Sequence, residues 1–575
     1  MLNKSVSLKR YLPILDWGQR YNKNKFSDDA IAAIVVAIMV VPQALAYALV
    51  AGVPPQVGLY AAILGLTVYT FFGTSTTLSV GPVAVLSLMT AAALGKLSLT
   101  DPAEIVIAAM ALALMSGVVL LILGLLRLGF MANFISHPVI TAFVTAAAMI
   151  IGFSQLRFLL GVEAGGENLI ELMLEVFAVR GDVSYPTLAL GVLAFAIIIA
   201  CKTGLKKILL ARQVDERLAT MLSRAGPVFA ALISVILVWA FGLDQYGVAI
   251  LAEVPAGLPD FAIPSLSFEL IRSLWGSALL IAIIGFVESV SVARVMAARR
   301  QERINLDQEL VGLGAANIAS AMGGGYSVTG GFSRSSVNFE AGAATPAAGF
   351  YTALIVALVA LLLTPALYWL PRVTLAAIIV MAILPLIDFS MLWKSWRYSK
   401  SDFVAVCLTL ILTLAVGVEI GIAAGVLVSI FIHLYRTSQP HVAVVGRVAG
   451  TEHFRNIDRH KVETFDNLLS VRVDESLYFA NSQYLEELIF ELVAKQPKLK
   501  HVVLMCTAVN EIDLSALEAL EHINNTLAER GIQLHLSEIK GPIMDKLGRT
   551  GFFRSLTGNN YMSHNQAVED LRLQN

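Results

Sequence analysis

Within an apolar stretch running from Asp29 to Arg436, one segment cannot be an ordinary spanning helix: Met322-Gly-Gly-Gly-Tyr-Ser-Val-Thr-Gly-Gly-Phe-Ser-Arg-Ser-Ser-Val337. Glycine weakens helices, hydroxyls need partners, and Arg334 carries a permanent charge. In a bilayer such backbone survives only where it is buried in protein or lines a watery cavity. A charged side chain near the bilayer centre costs about 2.5–3.5 kcal/mol on insertion scales, so it marks a functional position. The segment therefore reads as half of an anion site in a transporter.

The surrounding sequence agrees with a membrane setting. Of 575 residues, 57% are hydrophobic and 14% charged, against roughly 25% charged in soluble proteins. Many runs reach the roughly 20 apolar residues that a spanning helix needs. No basic stripe lies outside the loops, which argues against a nucleic-acid partner. Cys201, Cys407 and Cys506 lie far apart, without metal or redox spacing, so neither a metal nor a cofactor is expected. No nucleophile–base pair suggests an enzyme. The N-terminus is polar through Ser27, so no cleavable signal peptide is expected.

Hydropathy places spans at Ala30–Val50, Val57–Phe72, a short Pro82–Leu94, Ile105–Leu126, Ser136–Leu160, Thr187–Cys201 and Gly226–Phe241. After a Pro-rich linker, Gly242 to Phe268, come Arg272–Ala297, Leu310–Met322, a short Phe332–Phe339, Ala347–Leu363, Val373–Asp388, Phe403–Ala415 and Val418–Tyr435. In each half the third element is short and opens at a break, Ser79-Val-Gly-Pro82 in one and Ser327-Val-Thr-Gly330 in the other. Short, interrupted segments at matching positions of two halves point to a transporter binding site. Seven elements per half make the repeats inverted.

Loop charges support the count, because Lys and Arg favour the cytoplasmic side. Lys4, Lys9, Arg10, Arg20, Lys23 and Lys25 precede the first span, and basic clusters such as Lys202–Arg212, Arg294–Arg303 and Lys394–Lys400 follow even-numbered elements. The odd-numbered loops hold only Lys96, Arg180 and Arg372. Both termini are expected in the cytoplasm, with a cytosolic segment 1–28, a membrane domain 29–436 (halves 29–243 and 270–436) and a cytosolic domain 440–575. In that last domain Leu468–Val473, His501–Cys506 and Ile532–Leu536 read as strands, Leu514–Glu529 as a helix and Ile543–Leu547 as the start of another. This alternation suggests an α/β unit with a largely parallel sheet.

Pro42-Gln-Ala-Leu-Ala-Tyr-Ala48, Gly52-Val-Pro-Pro55 with Gly58-Leu-Tyr60, Gly81-Pro-Val-Ala84 and Thr329-Gly-Gly-Phe-Ser-Arg-Ser335, in this order, resemble the sulfate permease family of anion transporters and exchangers. The resemblance covers nearly the whole chain. It implies an α-helical polytopic membrane protein with fourteen transmembrane segments as a 7+7 inverted repeat, divided into core and gate domains. It also implies a cytosolic α/β STAS domain (named for sulfate transporters and anti-sigma-factor antagonists) and a homodimer. Soluble STAS regulators carry a phosphorylated serine in Asp-Ser-Ser-Gly. Here Asp513-Leu-Ser-Ala516 puts Leu514 in its place, so that switch is not expected and a scaffold, dimer-contact or trafficking role is.

By the same resemblance Gln43 and Tyr47 face the substrate, and Val83, Ala84, Phe332 and Ser333 offer backbone N–H groups beside Arg334. Physical chemistry agrees on the location. Each half-helix N-terminus acts as roughly half a positive charge with free N–H groups. Two such ends plus Arg334 supply about two positive charges, the complement of a dianion. The Ser333 and Thr329 hydroxyls add donors. Arg334 has one competing reading, as a structural ion pair with Glu288, and Gln43 and Tyr47 another, as ties between helices. Glu288, in Phe286-Val-Glu-Ser289, resembles a carboxylate implicated in proton coupling in plant-type members. The expectation is proton-coupled sulfate uptake across the cell (inner) membrane by an elevator movement. Bicarbonate or chloride exchange and C4-dicarboxylate uptake stay open, as does a membrane sensor.

Overall fold

The computed structural model describes residues 11–133, 136–162, 169–179, 183–252, 255 and 257–572. Lys4, Lys9, Arg10 and Arg180 of the loop-charge pattern lie outside them. Two compact units result, Met1–Ser429 and Ile430–Asn575.

Local signals start the membrane helices. Asn22, Asp101, Ser184, Ser267, Asn305 and Ser399 each accept a hydrogen bond from a first-turn backbone N–H, satisfying a donor the helix leaves free. Prolines occupy the first turn in several others, where a missing N–H costs nothing. The helices that follow are α1 (Lys23–Val50), α2 (Pro55–Phe72), α3 (Ala84–Gly95), α4 (Pro102–Leu125), α5 (His137–Ser154), α6 (Tyr185–Ala200) and α7 (Gly226–Phe241). The second half supplies α8 (Phe268–Arg300), α9 (Leu306–Met322), α10 (Phe332–Glu340), α11 (Ala347–Leu362), α12 (Arg372–Ile383), α13 (Lys400–Ala415) and α14 (Val418–Ser438).

These match the hydropathy spans, with informative differences. Helix α1 begins at Lys23 and α8 at Phe268, because their polar caps lie beyond the apolar window. The span anticipated to reach Asp388 is helical only to Ile383 and tightens into a 3₁₀ turn, Leu384–Leu386, where Pro385 cannot donate to the helix. Leu169–Ala178, Glu216–Arg224 and Ser390–Tyr398 are helices that hydropathy missed, since each mixes charged or polar residues into its apolar face.

Packing divides the membrane unit into two groups. Helix α4 lies on α9 and α8, while α11 lies on α2 and α1; α6 packs on α12, and α13 on α5. Exchanging the halves, αn for αn+7, turns each contact of these pairs into the other. Helices α4 and α9 meet backbone to backbone. A Cβ on Gly117 would lie 2.9 Å from the Gly314 carbonyl oxygen, and one on Gly314 would lie 2.7 Å from Leu121 N. Small residues are what permits such close approach in a bilayer.

The second unit is a six-stranded sheet. Its strands are β3 (Val442–Arg447), β4 (Phe454–Asn456), β5 (Leu468–Val473), β6 (His501–Met505), β7 (Gln533–Ser537) and β8 (Asn560–Tyr561), in the order β4-β3-β5-β6-β7-β8. Pairs β5–β6, β6–β7 and β7–β8 are parallel, and the two involving β3 antiparallel. Side chains alternate across the pleat. Leu469, Val471, Val502, Leu504, Leu534 and Leu536 face the core built with helices Ser482–Ala494 and Leu514–Glu529. Leu468 and Val503 face the terminal helix His564–Arg572.

Three buried histidines share that second face. His535 Nδ1 accepts from Asn559 N–H at 2.9 Å, so the neutral ring carries its proton on Nε2, which meets His501 Nδ1 at 3.2 Å. His564 Nδ1 lies 2.8 Å from Ser537 Oγ. Burial, with His501 adding to it, pushes His535 down to about 4; burial also pushes His564 down to about 4, against the pull of Glu538. An unfolded histidine takes its proton near pH ~6.5. The stability held by the neutral rings is therefore complete above that pH and is lost as pH falls toward about 4. The protection factors of the β7 amides in the full-length protein, corrected for intrinsic exchange, are expected to fall as pH drops from ~6.5 toward about 4, and a His535→Gln variant is expected to flatten that dependence.

Candidate functional site

The two breaks meet. Val80–Gly81 (β1) pairs antiparallel with Thr329–Gly330 (β2), Val80 opposite Gly330 and Gly81 opposite Thr329. Gly331 N–H extends the ladder by donating to Ser79 O at 3.2 Å. Close approach requires the missing side chain: a Cβ on Gly330 would stand 2.5 Å from Leu78 Cδ1. Helix α10 adds two ties to the chain before α3. Ser79 N–H donates to Ser335 Oγ at 3.0 Å, and Asn338 Nδ2 donates to Thr77 O at 3.0 Å.

Neighbouring helices hold β2 through polar groups in apolar surroundings. From α8, Ser289 Oγ accepts Gly330 N–H at 2.8 Å and lies 2.5 Å from Thr329 Oγ1. From α9, Asn317 clasps Val328 on both sides, donating to its carbonyl at 2.8 Å and accepting its N–H at 2.9 Å. Ser320 Oγ donates to Tyr326 O at 2.7 Å, and the Tyr326 hydroxyl meets Ser87 Oγ of α3 at 2.8 Å. Glu309, fully buried, anchors the approach to β1 by accepting from Thr74 N–H at 2.8 Å, Ser75 N–H at 3.1 Å and the Tyr69 hydroxyl at 2.7 Å. Asp29 does the same for the segment after α10, accepting from Ala344 N–H at 2.7 Å and Thr345 N–H at 2.9 Å.

The result is two half-helices starting side by side. Helix α3 begins after Val83 and α10 after Gly331, both in extended conformation and neither with a side-chain cap. Their first-turn N–H groups are left available, the arrangement that binds anions at helix N-termini. Between them lies the Arg334 guanidinium. A Cβ on Gly81 would be 3.1 Å from its Nη1, and one on Gly331 would be 3.2 Å from Nε and Nη2. Arg334 is 2% exposed, and its Nη1 and Nη2 are buried without a hydrogen-bond partner. Leaving such donors unmatched is costly.

The residues anticipated from sequence converge here unevenly. Gln43, Tyr47, Val83 and Ala84 are buried, whereas Phe332 and Ser333 are exposed. Tyr47, Tyr326 and Glu288 lie within electrostatic range of Arg334. Gln43 and Tyr47 make no side-chain hydrogen bond among the described residues. Glu288 forms no salt bridge with Arg334, and its Oε2 is buried without a partner. Thr329 is a correction. Its hydroxyl donates to Gly285 O at 2.6 Å and so is committed to the fold, not offered to a ligand. Asp388 and Glu419 are structural, as their places near span ends suggest. Asp388 Oδ1 accepts Ser390 N–H at 2.8 Å, and Glu419 pairs with Lys96 while accepting from Ser277 at 2.8 Å. Sequence reading passed over Ser289, Asn317 and Glu309. The signal for the last two was a polar residue amid the apolar periodicity of α9.

Comparison with known proteins identifies the family and the fold. The Sulfate permease family profile matches residues 26–409 and the STAS domain profile residues 459–567. "Sulfate transporter 4.1, chloroplastic" of Arabidopsis thaliana is 33% identical over 563 residues, covering 94% of this chain and 81% of its own. A probable sulfate transporter of Mycobacterium tuberculosis is 31% identical over 554 residues, covering 94% and 95%. The structure of murine Solute Carrier 26 family member A9 in the inward-facing state superposes with a TM-score of 0.88 at 21% identity, covering 99% of this chain and 95% of that one. The transmembrane domain of the cyanobacterial bicarbonate transporter BicA matches with a TM-score of 0.60 at 22% identity, covering 70% and 98%. The fold and the paired helix breaks define a multi-pass membrane anion transporter. The chain belongs to the sulfate permease family and carries a C-terminal STAS domain.

Replacing Asn317 by Leu removes both partners of the Val328 peptide groups. The expected loss is about 1–3 kcal/mol, read as a lowered Tm of the detergent-solubilised protein together with weaker anion binding.

Proposed function

We propose that this protein is a secondary active transporter that takes up sulfate together with a proton, the anion held between the N-termini of α3 and α10. The observation that carries the reading is the buried, unpartnered guanidinium of Arg334 beside two uncapped helix ends. In this reading Ala84, Ser333 and their neighbours donate backbone N–H groups, Val83 and Phe332 shape the mouth of the nest, and Gln43 and Tyr47 of α1 close it. The free side-chain polar atoms of Gln43 and Tyr47 support that role. The names of the relatives favour sulfate over other anions.

Proton coupling rests on Glu288. Its carboxyl sits within electrostatic range of Arg334 without pairing with it. Ionised, it would cancel the guanidinium and leave about one positive charge from the helix ends. Protonated, it would restore about two, so proton and sulfate bind cooperatively. Transport then proceeds as an elevator: the group containing α1–α4 and α8–α11 carries the site past the group containing α5–α7 and α12–α14. We place the protein in the cell membrane as a homodimer with both termini cytoplasmic, in line with the loop charges.

Uptake of labelled sulfate into proteoliposomes tests the site. An Arg334→Gln protein is expected to lose at least tenfold in sulfate affinity, and Arg334→Lys to keep part of it, because an ammonium supplies charge without the planar fork. Unchanged affinity in Arg334→Gln would reject the site. Bicarbonate, fumarate and chloride as competitors identify the anion.

A Glu288→Gln protein is expected to equilibrate sulfate without concentrating it under an inward proton gradient. Accumulation at the wild-type level would reject the coupling role.

A further inference from the structure

Helix α10 carries the anion site at its start and an ion pair near its end. Ser333, Val337, Glu340 and Ala341 fall at i, i+4, i+7 and i+8, so they share one face. Seven residues at 1.5 Å each set Glu340 about 10 Å along that face from Ser333. The far end of the face lines a cavity of about 600 Å³, with Val337, Glu340 and Ala341 on one side and Lys206, Glu216 and Arg224 among the residues opposite. The opposite wall belongs to the segment joining α6 to α7 and packs with that group, while α10 packs on α1 and α8.

Among the described residues, the ion pairs Lys206–Glu216 and Arg224–Glu340 sit in this cavity, and they differ in kind. Lys206 and Glu216, 3.1 Å apart, both belong to the α6–α7 segment, so they move together. Arg224 and Glu340 join opposite walls, and Glu340 is steadied by Ser336 Oγ at 3.1 Å. A displacement of α10 relative to the α6–α7 segment beyond the reach of these two side chains breaks the second pair and leaves the first intact. The second pair also sets the charge on this face of the cavity. An anion that left the Ser333 end along this face would meet the Glu340 carboxylate, which would repel it unless Arg224 neutralised it.

We propose that Arg224 and Glu340 are positioning residues for transport: the pair latches α10 to the α6–α7 segment in the conformation described here and neutralises the anion's path beside it. This rests on the anion-transport reading above. Neither residue touches the anion at its site; both act through the position of α10.

The test is sulfate exchange in proteoliposomes with the full-length protein. Arg224→Gln is expected to slow exchange roughly fivefold, the scale of one partly exposed ion pair, because Glu340 is then left to repel the anion, whereas Glu340→Gln, which removes the repelling carboxylate together with the latch, is expected not to slow it; sulfate affinity stays nearly unchanged in both. The double reversal, Arg224→Glu with Glu340→Arg, is expected to recover most of the rate. In a second measurement, Arg224→Cys with Glu340→Cys is bridged by a short bis-maleimide. The bridged protein is expected to bind sulfate like the unbridged control yet not translocate it. A bridged protein that exchanges at the control rate, or a double reversal no faster than the slower single variant, overturns the latch. Sulfate binding by the wild type is measured alongside. A wild type that binds no sulfate rejects the anion reading and the latch with it, whereas a binding wild type with failed rescue rejects the latch alone.

Discussion

A four-residue antiparallel bridge is the interaction on which the rest depends. Val80–Gly81 and Thr329–Gly330 come from opposite halves of the membrane unit, and their pairing makes two helix breaks into one site. In lipid a broken helix exposes backbone groups at a cost of several kcal/mol each. Pairing the breaks with one another, and with Ser289, Ser335 and Asn317, removes most of that cost. Still without a capping or hydrogen-bonding side chain are the first turns of α3 and α10 and the guanidinium of Arg334.

The same division explains the surrounding polar residues. Glu309 and Asp29 are fully buried carboxylates, yet each accepts several hydrogen bonds from loop N–H groups and hydroxyls. They fix the chain entering β1 and the chain leaving α10. Glu288 is different, since one of its oxygens is buried without any donor. Two kinds of acid therefore lie in one bundle: anchors whose charge is matched by donors, and one carboxyl whose protonation changes the field at Arg334. That contrast singles out Glu288 for the coupling proton in the proposed cycle.

Much of this was legible in the sequence. The glycine- and hydroxyl-rich break around Arg334 marked the site because nothing else tolerates such residues in a bilayer. The matching break at Ser79-Val-Gly-Pro82 marked its partner. What the sequence could not convey was who satisfies whom. Thr329 looked like a ligand donor and is instead bonded to Gly285 and Ser289. Ser289 and Asn317 drew no reading from the sequence and are the clasps that hold β2. Such contacts join residues far apart in the chain, and periodicity carries no record of them. Helices with mixed faces, such as Glu216–Arg224, were missed for a related reason: hydropathy sees lipid-facing surface, not amphipathic connection.

One consequence follows from the composition of the anion nest. In the proposed site, one half of the positive field comes from the main chain at the starts of α3 and α10, and the other from a single side chain. Scanning mutagenesis replaces side chains only. It would find Arg334 and pass over the amides, making a three-part cradle look like a one-residue site. The backbone half yields only to changes that shift where a helix begins, such as proline or an inserted residue near Val83 or Gly331. Natural variation is under the same restriction. Altered selectivity is most readily reached through the side chains rimming the nest, with the amide scaffold carried through unchanged.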